Sequence, residues 1–318
     1  MFRLIAAAAL TLAAGAAQAA DALTLQLRWL PQAQFAGYLV ARERGFYAAE
    51  GLDVTILPGG PGIVPAEALA TGRADVAVDW MPPALAARES GLPVVNIAQP
   101  FARSGLMLVC RGDSGITDLR RDLPGRMVGS WFGGDDQALR AWLNNLGLSA
   151  EGADAVRLRD QAAGGATLLR DKRADCVTAM SYDLPALSDL SGPIIFRAED
   201  HGAASLEDGL YTLEQNLRDP AMAGRLVRFV RATMKGWRHV EAHPEDAAAV
   251  LAAADPARPA DRQRLEEVLR LTAGSSGALD PVAAGRTVQR LLAGGAGAVL
   301  SHPPERAWSD RITAAALK

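Results

Sequence analysis

Leu23, Leu25, Leu27 and Trp29 alternate with polar residues in LTLQLRW, the period-two pattern of a strand with one buried face. The next stretch, from Gln34, changes to helical spacing and is stopped by Gly45, with a shorter turn ending at Gly51. LDVTIL predicts a second strand, and VPAEALATG a helix closed by Gly72. ADVAV is a nearly continuous apolar run, as expected of a parallel strand covered on both faces. PALAARESG, LPVVNIAQ and GLMLVC continue the alternation, so the first third predicts a parallel α/β sheet.

A second set of the same kind starts near Met127: MVGSWFG, a helix over about 135–146, AVRLR, a helix to about Lys172, CVTAM and IIF. Arg73-Ala74-Asp75 and Arg173-Ala174-Asp175 each stand between a predicted helix and a buried strand, which argues for two lobes of one architecture. After about Leu206 the pattern turns helical, with Leu226, Phe229, Val230 and Trp237 near one stripe. DPARPAD breaks it before further helices. Few strands remain there, so this part is expected to pack back on the first lobe. The organisation expected is a leader at 1–19, a discontinuous first lobe at 20–110 and 202–318, and a second lobe at 111–201, with crossovers near 109–112 and 197–202.

Two such lobes leave a cleft, and ligands of open α/β sheets lie beyond the carboxyl ends of the strands. The residues just after each predicted strand are rich in Trp, Phe, Tyr, Asp, Gln and Gly. Trp29, Trp80 and Trp131 sit at three such ends and are half of the 6 tryptophans. One aromatic there is usually core; three, with amides and carboxylates beside them, suit a flat heterocycle.

Composition narrows the partners. With 49% hydrophobic and 22% charged residues in 318, the chain reads as globular. A net charge of -3 without a basic block argues against nucleic acid. Met1, Phe2 and Arg3, the apolar run to Ala14 and Ala17-Gln18-Ala19 read as a secretory leader with its cleavage site, so the mature protein is expected outside the cytoplasm. That compartment permits a disulfide, but Cys110 and Cys176, each in its own apolar strand, are expected to be inert small hydrophobes.

Several short motifs fail their chemical tests. GDSG at 112–115 has no supporting His and Asp and reads as a turn. His239 and His243 are four apart, but Pro244 follows and a solvated helix end is expected. PGGPG at 58–62 lacks the Gly-Lys-Ser/Thr ending of a nucleotide loop, which leaves Gly60 as a cleft wall. No catalytic residue, metal ligand or cofactor is expected. WFGGDD opens a helix with Asp135 and Asp136 in its first turn, where an anionic ligand would meet like charge; a neutral or cationic ligand with an amino group is favoured.

WLPQAQFAGYLVARERGFYAAEGLDVTIL, ALATGRADVAV and WFGG together resemble the NMT1/THI5-like periplasmic substrate-binding proteins of ABC importers. The resemblance implies the class II periplasmic-binding fold: two α/β lobes joined by two crossovers that close on a ligand. It implies a thiamine-precursor aminopyrimidine as ligand, with riboflavin, sulfonates or nitrate as alternatives, and an inner-membrane permease as partner of a monomeric binding protein. The ligand-binding residues expected are Trp29, Gln32, Gln34, Phe35, Tyr38, Gly60, Asp79, Trp80, Trp131, Phe132, Gly133, Gly134, Asp135, Asp160, Ser181 and Tyr182. In this scheme aromatics stack on the ring, Asp135 or Asp160 pairs with an amino group, and Gln34 and Tyr182 complete the polar contacts. Gln32 and Phe35 stand where the thiamine-precursor group often carries Asn and His, so the polar pattern facing the ligand differs. Eukaryotic members are enzymes with a cysteine-rich motif, which the two cysteines here do not form.

Overall fold

The computed structural model describes residues 19–162, 164–255 and 262–318. Most of the predicted leader, residues 1–18, and most of the DPARPAD break, residues 256–261, lie outside the described residues. The strands are β1 (Asp21–Gln26), β2 (Leu52–Leu57), β3 (Val76–Asp79), β4 (Val94–Ala98), β5 (Leu106–Cys110), β6 (Met127–Ser130), β7 (Arg157–Asp160), β8 (Cys176–Met180), β9 (Ile194–Arg197) and β10 (Gly209–Leu213). They form two five-stranded sheets, ordered β2-β1-β3-β10-β4 and β7-β6-β8-β5-β9.

Neither sheet is all parallel, as the alternation had predicted. β10 runs antiparallel between β3 and β4, and β5 runs antiparallel between β8 and β9. Each is the strand that enters its sheet directly after a crossover, so it arrives from the opposite end. This also moves a boundary. Leu106–Cys110 belongs to the second sheet, not to the first lobe as expected, and the crossovers are residues 99–105 and 198–208. A buried apolar strand carries no mark of which sheet it joins.

The repeated tripeptide marks the same junction in both lobes. The Asp75 N–H donates to the Thr24 carbonyl at 2.9 Å, and its carboxylate accepts the Thr24 N–H at 2.8 Å. Asp175 does the same with Met127, at 2.8 and 3.0 Å. Each aspartate thereby extends the ladder beside its strand and satisfies a backbone donor at the sheet margin. Cys110 and Cys176 correct the expectation of free thiols. β5 and β8 pair them directly in register, and they are joined as a disulfide.

The carboxy-terminal helices return to the first lobe, as their few strands implied. The Ala36–Glu43 helix lies directly on the Pro220–Ala242 helix. A Cβ at Gly236 would fall 2.1 Å from the Gly37 carbonyl, and one at Gly37 only 2.3 Å from the Trp237 ring. Only glycine permits this approach. It presses Trp237 against Tyr38 and Phe101, with ring centroids 5.8 Å apart in both pairs. The Pro281–Leu292 helix also touches the second lobe: Leu291 shares an apolar cluster with Ala141 and with Met81 and Leu85.

Candidate functional site

β1, β3, β6 and β8 all end at the interface between the lobes, and the chain leaves each through a polar or aromatic residue. Past β1, Leu27 completes the apolar face and Arg28 follows, 6% exposed. A guanidinium at that depth needs compensation. Arg28 lies over the Trp80 ring at 4.0 Å, forms an ion pair with Asp135 of the second lobe, and sits 3.7 Å from Asp208 on the returning crossover. Trp80 donates its indole N–H to the same Asp208 oxygen at 3.0 Å. The Asp79 carboxylate accepts the Trp80 N–H at 2.8 Å.

The charge state follows from burial. Desolvation opposes the charge of Arg28, but Asp135, Asp208 and Asp79 more than offset it, so the guanidinium stays protonated. Burial pushes Asp79 up to about 8 against the pull of Arg28. It pushes Asp208 up to about 6, again opposed by Arg28. Near neutral pH the cluster therefore holds one guanidinium, a protonated Asp79 and a mostly ionised Asp208, with Asp135 paired to the guanidinium.

Trp80 lies against this charge, and two further tryptophans adjoin it. Trp131, from the loop after β6, meets Trp29 and Trp80 edge-on, both with centroids 6.3 Å apart. Two small cavities flank the Arg28–Asp135 pair, each of about 20 Å³. One is bounded by Trp29, Gln32, Gln34, Trp131, Tyr182 and Asp183, the other by Gly60, Ile63, Asp79, Phe132 and Gly133. Each has room for about one water, not a heterocycle. Admitting a ring therefore requires the lobes to part, and parting them separates Asp135 from Arg28. Gln34 is 1% exposed, and its carbonyl oxygen has no hydrogen-bond partner among the described residues; the same holds for the Ser181 hydroxyl and the second Asp208 oxygen.

The structure sorts the sequence candidates. Trp29, Gln32, Gln34, Gly60, Asp79, Trp131, Phe132, Gly133, Asp135 and Tyr182 line one or other cavity, with Trp80 behind them and Ser181 buried alongside. Gly134 has φ +125°, and a Cβ there would lie 2.9 Å from Pro83, so it lets the second lobe's loop rest on the first lobe. Phe35 and Tyr38 are fully buried and pack toward Trp237. They are core rather than cleft wall, because the helix they open turns that face inward. Asp160 is exposed and accepts the Ala162 N–H at 2.9 Å, outside both cavities. Asp135, expected to be free for a ligand amino group, is held by Arg28.

Arg28 and Asp208 were missed. Arg28 did leave a signal: it is a charged residue just past the carboxyl end of a strand, on the face shared with Thr24 and Gln26. Asp208 left none, since only the crossover path brings it 3.0 Å from Trp80. Its neighbour Glu207 stitches the two crossovers. The Glu207 carboxylate accepts from the Ser104 hydroxyl and from the Gly105 and Leu106 N–H groups at 2.8 and 3.3 Å. Its carbonyl accepts from Gln99.

Two lobes of matching strand order, two crossovers and a cleft of charge and aromatics define the periplasmic-binding-protein fold. The periplasmic aliphatic sulphonate binding protein of Escherichia coli superimposes with a TM-score of 0.65 at 16% identity, covering 90% of both chains. Within that class the chain matches the NMT1/THI5-like family over residues 32–247, and it belongs to that family. It is 28% identical over 241 residues to the formylaminopyrimidine-binding protein of Halalkalibacterium halodurans, covering 74% of this chain and 71% of the relative. It is 27% identical over 243 residues to the 4-amino-5-hydroxymethyl-2-methylpyrimidine phosphate synthase of Legionella pneumophila, covering 74% of each.

Proposed function

We propose that this protein is the solute-binding component of an ABC importer, exported by its leader to the periplasm, and that it delivers an amino-bearing pyrimidine of the thiamine-precursor kind to an inner-membrane permease. The observation that carries this reading is the Arg28 cluster at the lobe interface, a single cation among carboxylates that stacks on Trp80 and shares a cavity with Trp29 and Trp131. Opening frees Asp135 and separates Trp131 from Trp29. A heterocycle entering between the lobes stacks on these rings, and its exocyclic amino group donates to Asp135 in place of Arg28. Gln34 and Ser181 supply further polar contacts from opposite walls. Closure then re-forms the interface around the ligand. An anion would compete for Arg28 but face Asp135 and Asp208, which disfavours sulfonate or nitrate.

Native mass spectrometry of the purified mature protein, with identification of the released small molecule, tests this reading. One aminopyrimidine per chain supports it; a sulfonate in the cleft overturns the ligand assignment. Steady conversion of the bound pyrimidine would instead favour the synthase named among the relatives. Both cysteines here are committed to the disulfide, so a thiol-based version of that chemistry has no group to use.

A further inference from the structure

On the hinge side, away from the Arg28 cluster, a further cavity of about 110 Å³ opens between the two crossovers and the Pro281–Leu292 helix. Arg103 reaches it from the first crossover, Glu199 and Ser205 from the second, and Arg286 and Arg290 from the helix. Three guanidiniums thus face one carboxylate. Arg290 is tied to the crossover, donating to the carbonyls of Gly202 at 2.6 Å and of Ala204. Arg103 and Arg286 make no side-chain hydrogen bond or ion pair among the described residues. Burial, and after it the neighbouring charge of Arg286, lower the proton affinity of Arg290. Ser205 is 8% exposed, and its hydroxyl has no hydrogen-bond partner among the described residues.

Excess positive charge, a nearly buried unpaired hydroxyl and a cavity of a few water volumes make an oxyanion receptacle. We propose that this hinge cavity is a second binding site, separate from the cleft, for a small tetrahedral oxyanion of the phosphate type. The anion would bridge Arg103 of one crossover, Ser205 of the other and Arg286 of the helix. Because these three elements converge on the hinge, occupancy ties the crossovers together and biases the angle between the lobes.

Titration calorimetry with inorganic phosphate, in chloride buffer at constant ionic strength, tests the site. The expected result is one saturable phosphate per chain, with affinity reduced at least tenfold in the Arg103→Gln/Arg286→Gln double variant and less in Ser205→Ala. Arg103 and Arg286 are exposed, and melting in chloride checks that the variant folds. A phosphate monoester titrated in parallel identifies the form of the anion. Tighter binding than free phosphate, lost in the same variant, assigns the phosphoryl group of a larger solute; exclusion of the ester assigns the free ion. Heats that follow ionic strength alone, or unchanged phosphate affinity in the double variant, would overturn the proposal.

Discussion

The two lobes share strand order and the same aspartate-clasped junction, yet they contribute opposite things to the interface between them. The first brings Arg28, Asp79 and Asp208, all buried, with Trp80 locked among them. The second brings Trp131 and Asp135 on a loop and helix end, both only half-buried. The first lobe therefore holds a buried charge cluster whose outermost partner belongs to the other lobe. The covalent arrangement is reversed, since the disulfide sits in the second lobe, joining strands β5 and β8. One lobe is cross-linked within its own sheet. The other is completed only when its partner, or a ligand, supplies a group for Arg28.

Removing Arg28 should break this contrast most severely. Arg28→Ala leaves Asp208 and Asp135 without their cation, and loss of one partner of a buried pair costs about 3–5 kcal/mol. Urea unfolding should register that loss, and ligand titration should show binding weakened more than a hundredfold. Arg28→Lys should recover much of the stability but less of the affinity, since an ammonium cannot hold the flat stacking on Trp80.

Next in size is the second lobe's staple. The disulfide closes a sequence separation of 66, and replacing both cysteines by alanine should lower stability by about 2–4 kcal/mol. Ligand affinity measured well below the melting point should stay within about twofold. A parallel loss of affinity would show that the lobes are not as separable as the division of labour implies.

Trp29→Ala probes the shared aromatic wall. It should weaken ligand binding about tenfold, or about 1.4 kcal/mol, with little change in melting temperature. Trp131→Ala should do the same and also relax closure, visible as a larger radius of gyration with ligand present.

Titration gives a gentler test. Native Asp79 and Glu207 keep their protons up to about 8, whereas their ordinary values are 3.8 and 4.5. Across that window the native state binds more protons than the unfolded one, so stability should fall as pH rises from about 4 to 8 and level off above. Asp79→Asn with Glu207→Gln should flatten the curve. Second-lobe Asp113, Asp122 and Asp189 have lowered values, so they contribute stability that is lost only under acid conditions. Asp160→Ala should have the smallest effect, with affinity unchanged within error. A tenfold loss would return Asp160 to the cleft.

Legibility in the sequence followed the range of the interaction responsible. Strand alternation at Leu23 to Trp29, the glycine stops and the paired Arg-Ala-Asp segments are local, and they gave both lobes and most strand ends. Tyr38 and Phe35 show the limit. Their positions after a strand resembled those of Trp29, but the close approach of Gly37 to Trp237, 200 residues away in the chain, turned them into core. Asp135 shows it differently. Its place at a helix start was legible, while its pairing with Arg28 depended on how one lobe rests on the other.

By itself, the sequence determined the alternation of elements, the doubled architecture and the gathering of aromatic and polar residues at strand ends, because period, capping and turn chemistry act within a few residues. Tertiary structure alone decided which sheet receives Leu106–Cys110, that Cys110 meets Cys176, and that Arg28 gathers Trp80, Asp135 and Asp208. Those outcomes depend on burial and on register between distant segments. A buried charge or a strand edge accepts whichever partner the fold brings within a few ångströms, and chain order does not encode that proximity.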